Sequence, residues 1–168
     1  MIMKKKFKIW KTLHPEKTSL NNYLKKLENS KIILSPWIMD IFKNKRNNII
    51  LTKRKYDLYR LTVKKLGFNK ATKLKEIYSK IIKEGYELVP PDIALRTRLK
   101  YKEQKVGEWL RFATPLKSMI DSDGVPHLPK LGKALGKYFI ETYWSYPRAI
   151  FFPHNEFVVT KKSETKKN

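Results

Sequence analysis

The sequence predicts an α+β fold: a basic helical N-terminal half of three to four short helices, packed on a small, aromatic-rich antiparallel β part. Apolar residues recur with helical spacing before Pro90, and after Pro91 the pattern changes to alternation and turn residues. The 168 residues suffice for one domain with a core. We therefore expect a basic arm, a helical region, a β-rich part and a mobile basic tail, at residues 1–17, 18–89, 90–160 and 161–168.

Two short helices are predicted after the arm. Thr18 or Ser19 is a suitable N-cap for the first, because Leu20, Tyr23, Leu24 and Leu27 then share one helical face. The second helix begins at Ser35-Pro36, since proline is favoured in the first helical position.

A helical hairpin is predicted over residues 53–86. Its first helix has the spacing of Tyr56, Tyr59, Val63 and Leu66, with Gly67 as the stop signal. Thr72 then caps a second helix that Gly85 ends. Two helices joined by a short glycine-containing turn form an αα-hairpin, of which the helix-turn-helix is one variety.

The C-terminal part is predicted to contain strands at residues 109–113, 138–144 and 156–160. Residues 93–101 fit either a short helix opened by Asp92 or a strand. Gly132–Lys137 resembles a phosphate-binding loop, but three residues separate its glycines where the motif has four, and Tyr138 replaces Ser or Thr. We therefore expect a loop there, without nucleotide hydrolysis.

The net charge of +23 indicates an anionic partner, because so basic a protein attracts nucleic acid, anionic membranes or acidic proteins. The charge is concentrated in residues 1–84, which carry 23 basic and 6 acidic residues. Compositional drift is an alternative explanation, since the chain has 31 Lys but only 7 Arg. The absence of cysteine excludes a disulfide scaffold and a thiol nucleophile.

These observations predict a non-enzymatic, sequence-tolerant nucleic-acid-binding accessory protein. Lysine holds phosphates without reading bases, so DNA and RNA are not distinguished. The expected phosphate contacts lie on and before the predicted hairpin: Lys53, Arg54, Lys55, Arg60, Lys73, Lys80 and Lys83.

Two other functions remain open. The protein is a module for an acidic protein partner if the aromatic residues of 138–157 form an exposed patch rather than a core. It is a small metal-independent nuclease or toxin-like enzyme if His127 and His154 form an acid–base pair. We expect no metal, cofactor or membrane span, and a cytoplasmic location.

Overall fold

The computed structural model describes residues 7–161 of the chain. Its helices are α1 (Leu20–Asn29), α2 (Pro36–Lys43), α3 (Leu74–Lys83) and α4 (Asp92–Arg98), with a 3₁₀ turn at Lys45–Asn47. Its strands are β1 (Lys11–Leu13), β2 (Ile33–Leu34), β3 (Tyr56–Thr62), β4 (Thr72–Lys73), β5 (Tyr86–Glu87), β6 (Trp109–Phe112), β7 (His127–Ala134), β8 (Lys137–Trp144), β9 (Ile150–Phe151) and β10 (Glu156–Lys161). The α+β class is confirmed.

The main sheet has the strand order β1-β3-β10-β6-β7-β8-β2, and β5 also pairs with β10. Strands β6 and β10 are parallel, as are β2 and β8, so the predicted antiparallel sheet is in fact mixed. The two-stranded pairing of β4 with β9 lies apart from this sheet.

Helices cover the two faces of the main sheet unequally. The face that includes Leu110 and Ile140 is covered by α1, α2 and α4, and the opposite face is covered by α3 over β3 and β10. Side chains alternate between the faces along a strand. Trp109 and Arg111 of β6 therefore share a face with α3, as do Lys130 and Gly132 of β7.

Serine side chains cap the N-termini of α1 and α2. The Ser19 hydroxyl accepts a hydrogen bond from the Asn22 backbone N–H at 3.2 Å, and Ser35 does the same for Ile38 at 3.3 Å. The predicted starts of α1 and α2 are confirmed. The predicted N-cap of α3 is wrong: Thr72 lies in β4, and the helix begins two residues later, at Leu74. Residues 93–101 fit either a helix or a strand by sequence, and residues 93–98 of that segment belong to the helix α4.

The predicted αα-hairpin at residues 53–86 is wrong in its first half. Residues 56–62 form β3, the strand between β1 and β10, and only the second half is a helix, α3. Tyr56 and Leu58 are buried on one sheet face while Tyr59 and Leu61 are buried on the other. A strand buried on both faces has no alternating pattern, so its apolar spacing is also compatible with a helix. Gly67 adopts φ +101° in the turn after β3.

The N-terminal half is consequently not all-helical, and part of the expected arm is structured. Lys11–Leu13 pair with Tyr56–Leu58 as β1, and the Lys11 ammonium lies 2.8 Å from Glu103. At the other end of the chain, Lys161 closes β10 opposite Tyr86. The remainder of the predicted arm and tail, residues 1–6 and 162–168, lies outside the described residues.

Candidate functional site

The face of the sheet that carries α3 is partly open where β6, β7 and β8 run side by side. Four side chains meet there, and we call them the cationic–aromatic cluster: Trp109, Arg111, Lys130 and Tyr143. The Lys130 ammonium lies 4.5 Å from the Trp109 ring centroid and 5.6 Å from that of Tyr143. The Arg111 guanidinium lies 5.6 Å from the Tyr143 ring. All four side chains are half-buried.

Strand pairing places the two cations of the cluster next to each other. Arg111 of β6 is the cross-strand partner of Lys130, and Lys130 is in turn the partner of Glu141 on β8. Burial lowers the pKa of Arg111. Burial also lowers the pKa of Lys130, the charge of Arg111 lowers it further, and Glu141 acts in the opposite direction. Two like charges are thus held together where their charged forms are poorly solvated.

Neither cation of the cluster has an acceptor within residues 7–161. The Arg111 Nε is buried without a hydrogen-bond partner, and neither Arg111 nor Lys130 makes an ion pair in that part of the chain. A buried donor without an acceptor is costly. An oxyanion such as a phosphate would supply the missing acceptors.

Gly132 positions the tryptophan of the cluster. A Cβ built on Gly132 would lie 2.3 Å from Trp109 Cζ3, so the indole ring occupies the space that any other residue would fill. Arg98 of α4 donates a 3.1 Å hydrogen bond to the Gly132 carbonyl from the opposite side of the sheet. The predicted loop at Gly132–Lys137 is therefore wrong at its start: Gly132–Ala134 belong to β7, Lys137 begins β8, and only Leu135-Gly136 form the turn.

Helix α3 borders the open face. Its first two N–H groups donate to the Ala149 carbonyl at 2.8 Å and the Pro147 carbonyl at 3.0 Å, which brings the segment after β8 to its N-terminus. The helix and the loop before it carry exposed or half-exposed lysines on their outer surface: Lys64, Lys65, Lys70, Lys73, Lys75, Lys80 and Lys83. Lys80 pairs with Glu84 at 3.1 Å.

The seven predicted phosphate contacts are not on one surface. Lys53, Arg54 and Lys55 are exposed, but they follow Thr52, which is hydrogen-bonded to Asp92 of α4. They lie in the segment between Thr52 and β3, whereas Lys73, Lys80 and Lys83 lie at the start of α3 or within it.

Arg60 is occupied by internal ion pairs. Its guanidinium makes two 2.8 Å hydrogen bonds to Glu156 and lies 3.2 Å from Glu108, and it donates to the Tyr101 hydroxyl at 2.9 Å. Burial lowers the pKa of Arg60, but Glu156 and Glu108 outweigh that effect and keep it above its ordinary value. Arg60 thus joins β3 to β10.

The two histidines have different surroundings. His127 is 3% exposed, with Nε2 2.8 Å from an Asp121 oxygen, Nδ1 2.9 Å from the Thr142 hydroxyl, and the ring stacked on Trp37. His154 is exposed in the turn before β10, where it stacks on Phe152. Both ring nitrogens of His127 thus lie within hydrogen-bond distance of a side chain, and an acid–base pair with His154 stays a prediction. Within residues 7–161 no cluster of His, Asp and Glu is arranged to hold a metal ion.

The aromatic residues of 138–157 are divided between core and surface. Phe151 and Phe157 are buried, whereas Trp144, Tyr146 and Phe152 are 59%, 45% and 52% exposed. Sequence reasoning missed the cluster itself, because it predicted no strand over residues 127–134, where β7 carries Lys130. The available signal was the alternation of Trp109 with Arg111 and of Lys130 with Gly132, which places each pair on one face of a strand.

No family model, curated protein or solved structure matches the chain. None of the helices in residues 7–161 is long and apolar enough to cross a membrane.

Proposed function

We propose that this protein is a non-enzymatic, sequence-tolerant nucleic-acid-binding accessory protein that holds phosphates on the α3 side of its sheet. The observation that carries the proposal is the pair Arg111 and Lys130, two adjacent half-buried cations without an acceptor among the described residues. Such a pair is unfavourable in the free protein. A bound phosphate would reduce the repulsion between the two cations and accept hydrogen bonds from their unpaired donors.

The charge distribution supports the same surface. Residues 7–161 contain 32 of the 38 Lys and Arg residues. Only four of these 32 pair with a carboxylate within that range: Lys11, Arg60, Lys80 and Arg96. The exposed lysines of α3 and of the loop before it add positive charge on the same side of the sheet, and such a surface binds phosphates irrespective of base sequence.

A salt series on the full chain tests the proposal. We would measure the fluorescence anisotropy of a labelled oligonucleotide between about 50 and 200 mM salt, where a protein that neutralises six or more phosphates loses on the order of a thousandfold in affinity. The double variant Lys73→Ala/Lys83→Ala should reduce the salt slope by about 0.7–0.9 for each phosphate that is no longer neutralised. No binding by the wild-type chain at physiological salt would refute the proposal.

The matched control is Lys53→Ala/Lys55→Ala. It removes the same charge from the exposed segment before β3, outside α3, and we expect a smaller change in slope. Equal effects of the two double variants would show that net charge alone attracts the nucleic acid and that α3 does not form a binding surface.

A further inference from the structure

A cavity of about 550 Å³ opens beside the cationic–aromatic cluster. It is lined by the end of β8 and the segment that follows, residues 143–144 and 146–150. Tyr143 lines this cavity and also belongs to the cluster, so the two features are adjacent. The exposed rings of Trp144 and Tyr146 and the exposed side chain of Ile150 make its wall largely apolar.

We infer that this cavity accepts an unpaired nucleobase, and that the nucleic acid bound by this protein is single-stranded. This inference rests on the proposed function. Aromatic side chains bind single strands by stacking on bases of any sequence. In a duplex the faces of the bases are covered by their neighbours, so only phosphates and base edges are accessible to a protein.

The position of the cations favours a flexible strand. Lys130 and Arg111 lie between aromatic rings on the floor of the open face, with α3 packed on the same face. A rigid duplex reaches cations that project from a surface, whereas a single strand can bend into a recess. Because Tyr143 belongs to both features, we expect a base in the cavity to direct a neighbouring phosphate towards the cluster. The exposed Arg148 on the cavity rim offers a second phosphate contact.

The experiment compares Tyr146→Ala with wild type on a labelled oligothymidine and on a duplex. Loss of one stacked base should weaken single-strand binding about five- to a hundredfold and leave duplex binding unchanged. Phe152→Ala is the matched control, because Phe152 is similarly exposed but does not line the cavity. Circular dichroism and the melting temperature check that each variant is folded.

A second probe is an oligothymidine in which one internal nucleotide is abasic. We expect it to bind wild type more weakly than the intact strand, and Tyr146→Ala to abolish that difference. The base-stacking inference is overturned if Tyr146→Ala weakens duplex and single-strand binding equally, or if it weakens neither. Nucleic-acid binding itself would still stand in both cases. If the wild-type chain binds neither probe at physiological salt, the proposed function itself fails.

Discussion

Gly132→Ala tests the construction of the candidate site, because the new methyl group would stand 2.3 Å from Trp109 Cζ3 and 2.6 Å from two further ring atoms. Overpacking of this kind costs about 1–3 kcal/mol. Replacing glycine at an ordinary φ also removes freedom from the unfolded chain and recovers about 0.4–1 kcal/mol. We therefore expect a net loss of about 1–2 kcal/mol, which for a chain of this length lowers Tm by about 2–8 °C.

The assay for this prediction is a double-mutant cycle. Thermal unfolding is followed by circular dichroism for wild type, Gly132→Ala, Trp109→Ala and the double variant. With the indole removed, the added methyl group meets no ring, so Gly132→Ala should be neutral or stabilising in the Trp109→Ala background. An equal loss of stability in both backgrounds would refute the contact between the glycine and the indole.

Three further variants test other features. Lys130→Met removes a poorly solvated charge beside Arg111, so Tm should stay or rise while the salt slope of oligonucleotide binding falls by about 0.7–0.9. Arg60→Met leaves Glu156 without its cation and should cost about 1–3 kcal/mol in chemical denaturation without changing that slope. Burial raises the pKa of Asp121, but hydrogen bonds from His127 and two backbone amides outweigh it, and the net shift is downward. The stability that this shift contributes is present above the unfolded-state pKa and is lost as pH falls through the folded-state value. Asp121→Asn should therefore flatten the acid limb of a Tm–pH profile, and an unchanged limb would contradict that assignment.

Local signals in the sequence were sufficient wherever a helix has one polar face. The Ser19 and Ser35 caps and the apolar stripes of α1, α2 and α3 are readable because each helix is buried on one side only. The same reasoning failed at β3, which is buried on both sides and so lacks the alternation that identifies a strand.

The candidate site was less predictable than the helices, because it depends on which strands become neighbours. Arg111 and Lys130 are 19 positions apart and meet only through the pairing of β6 with β7. Arg60 illustrates the opposite error, since a basic residue in a basic segment proves to be bound to Glu156, 96 positions further along the chain. Charge counted along a chain does not report which charges are already neutralised by distant partners.

The central position of β10 has a consequence for biosynthesis. The last strand of the described chain lies between β3 and β6, so both neighbours remain open sheet edges until residues 156–161 have left the ribosome. Open edges of this kind readily pair with other chains. Until β10 is inserted, the nascent protein therefore exposes backbone on β3 and β6 that can pair with other chains.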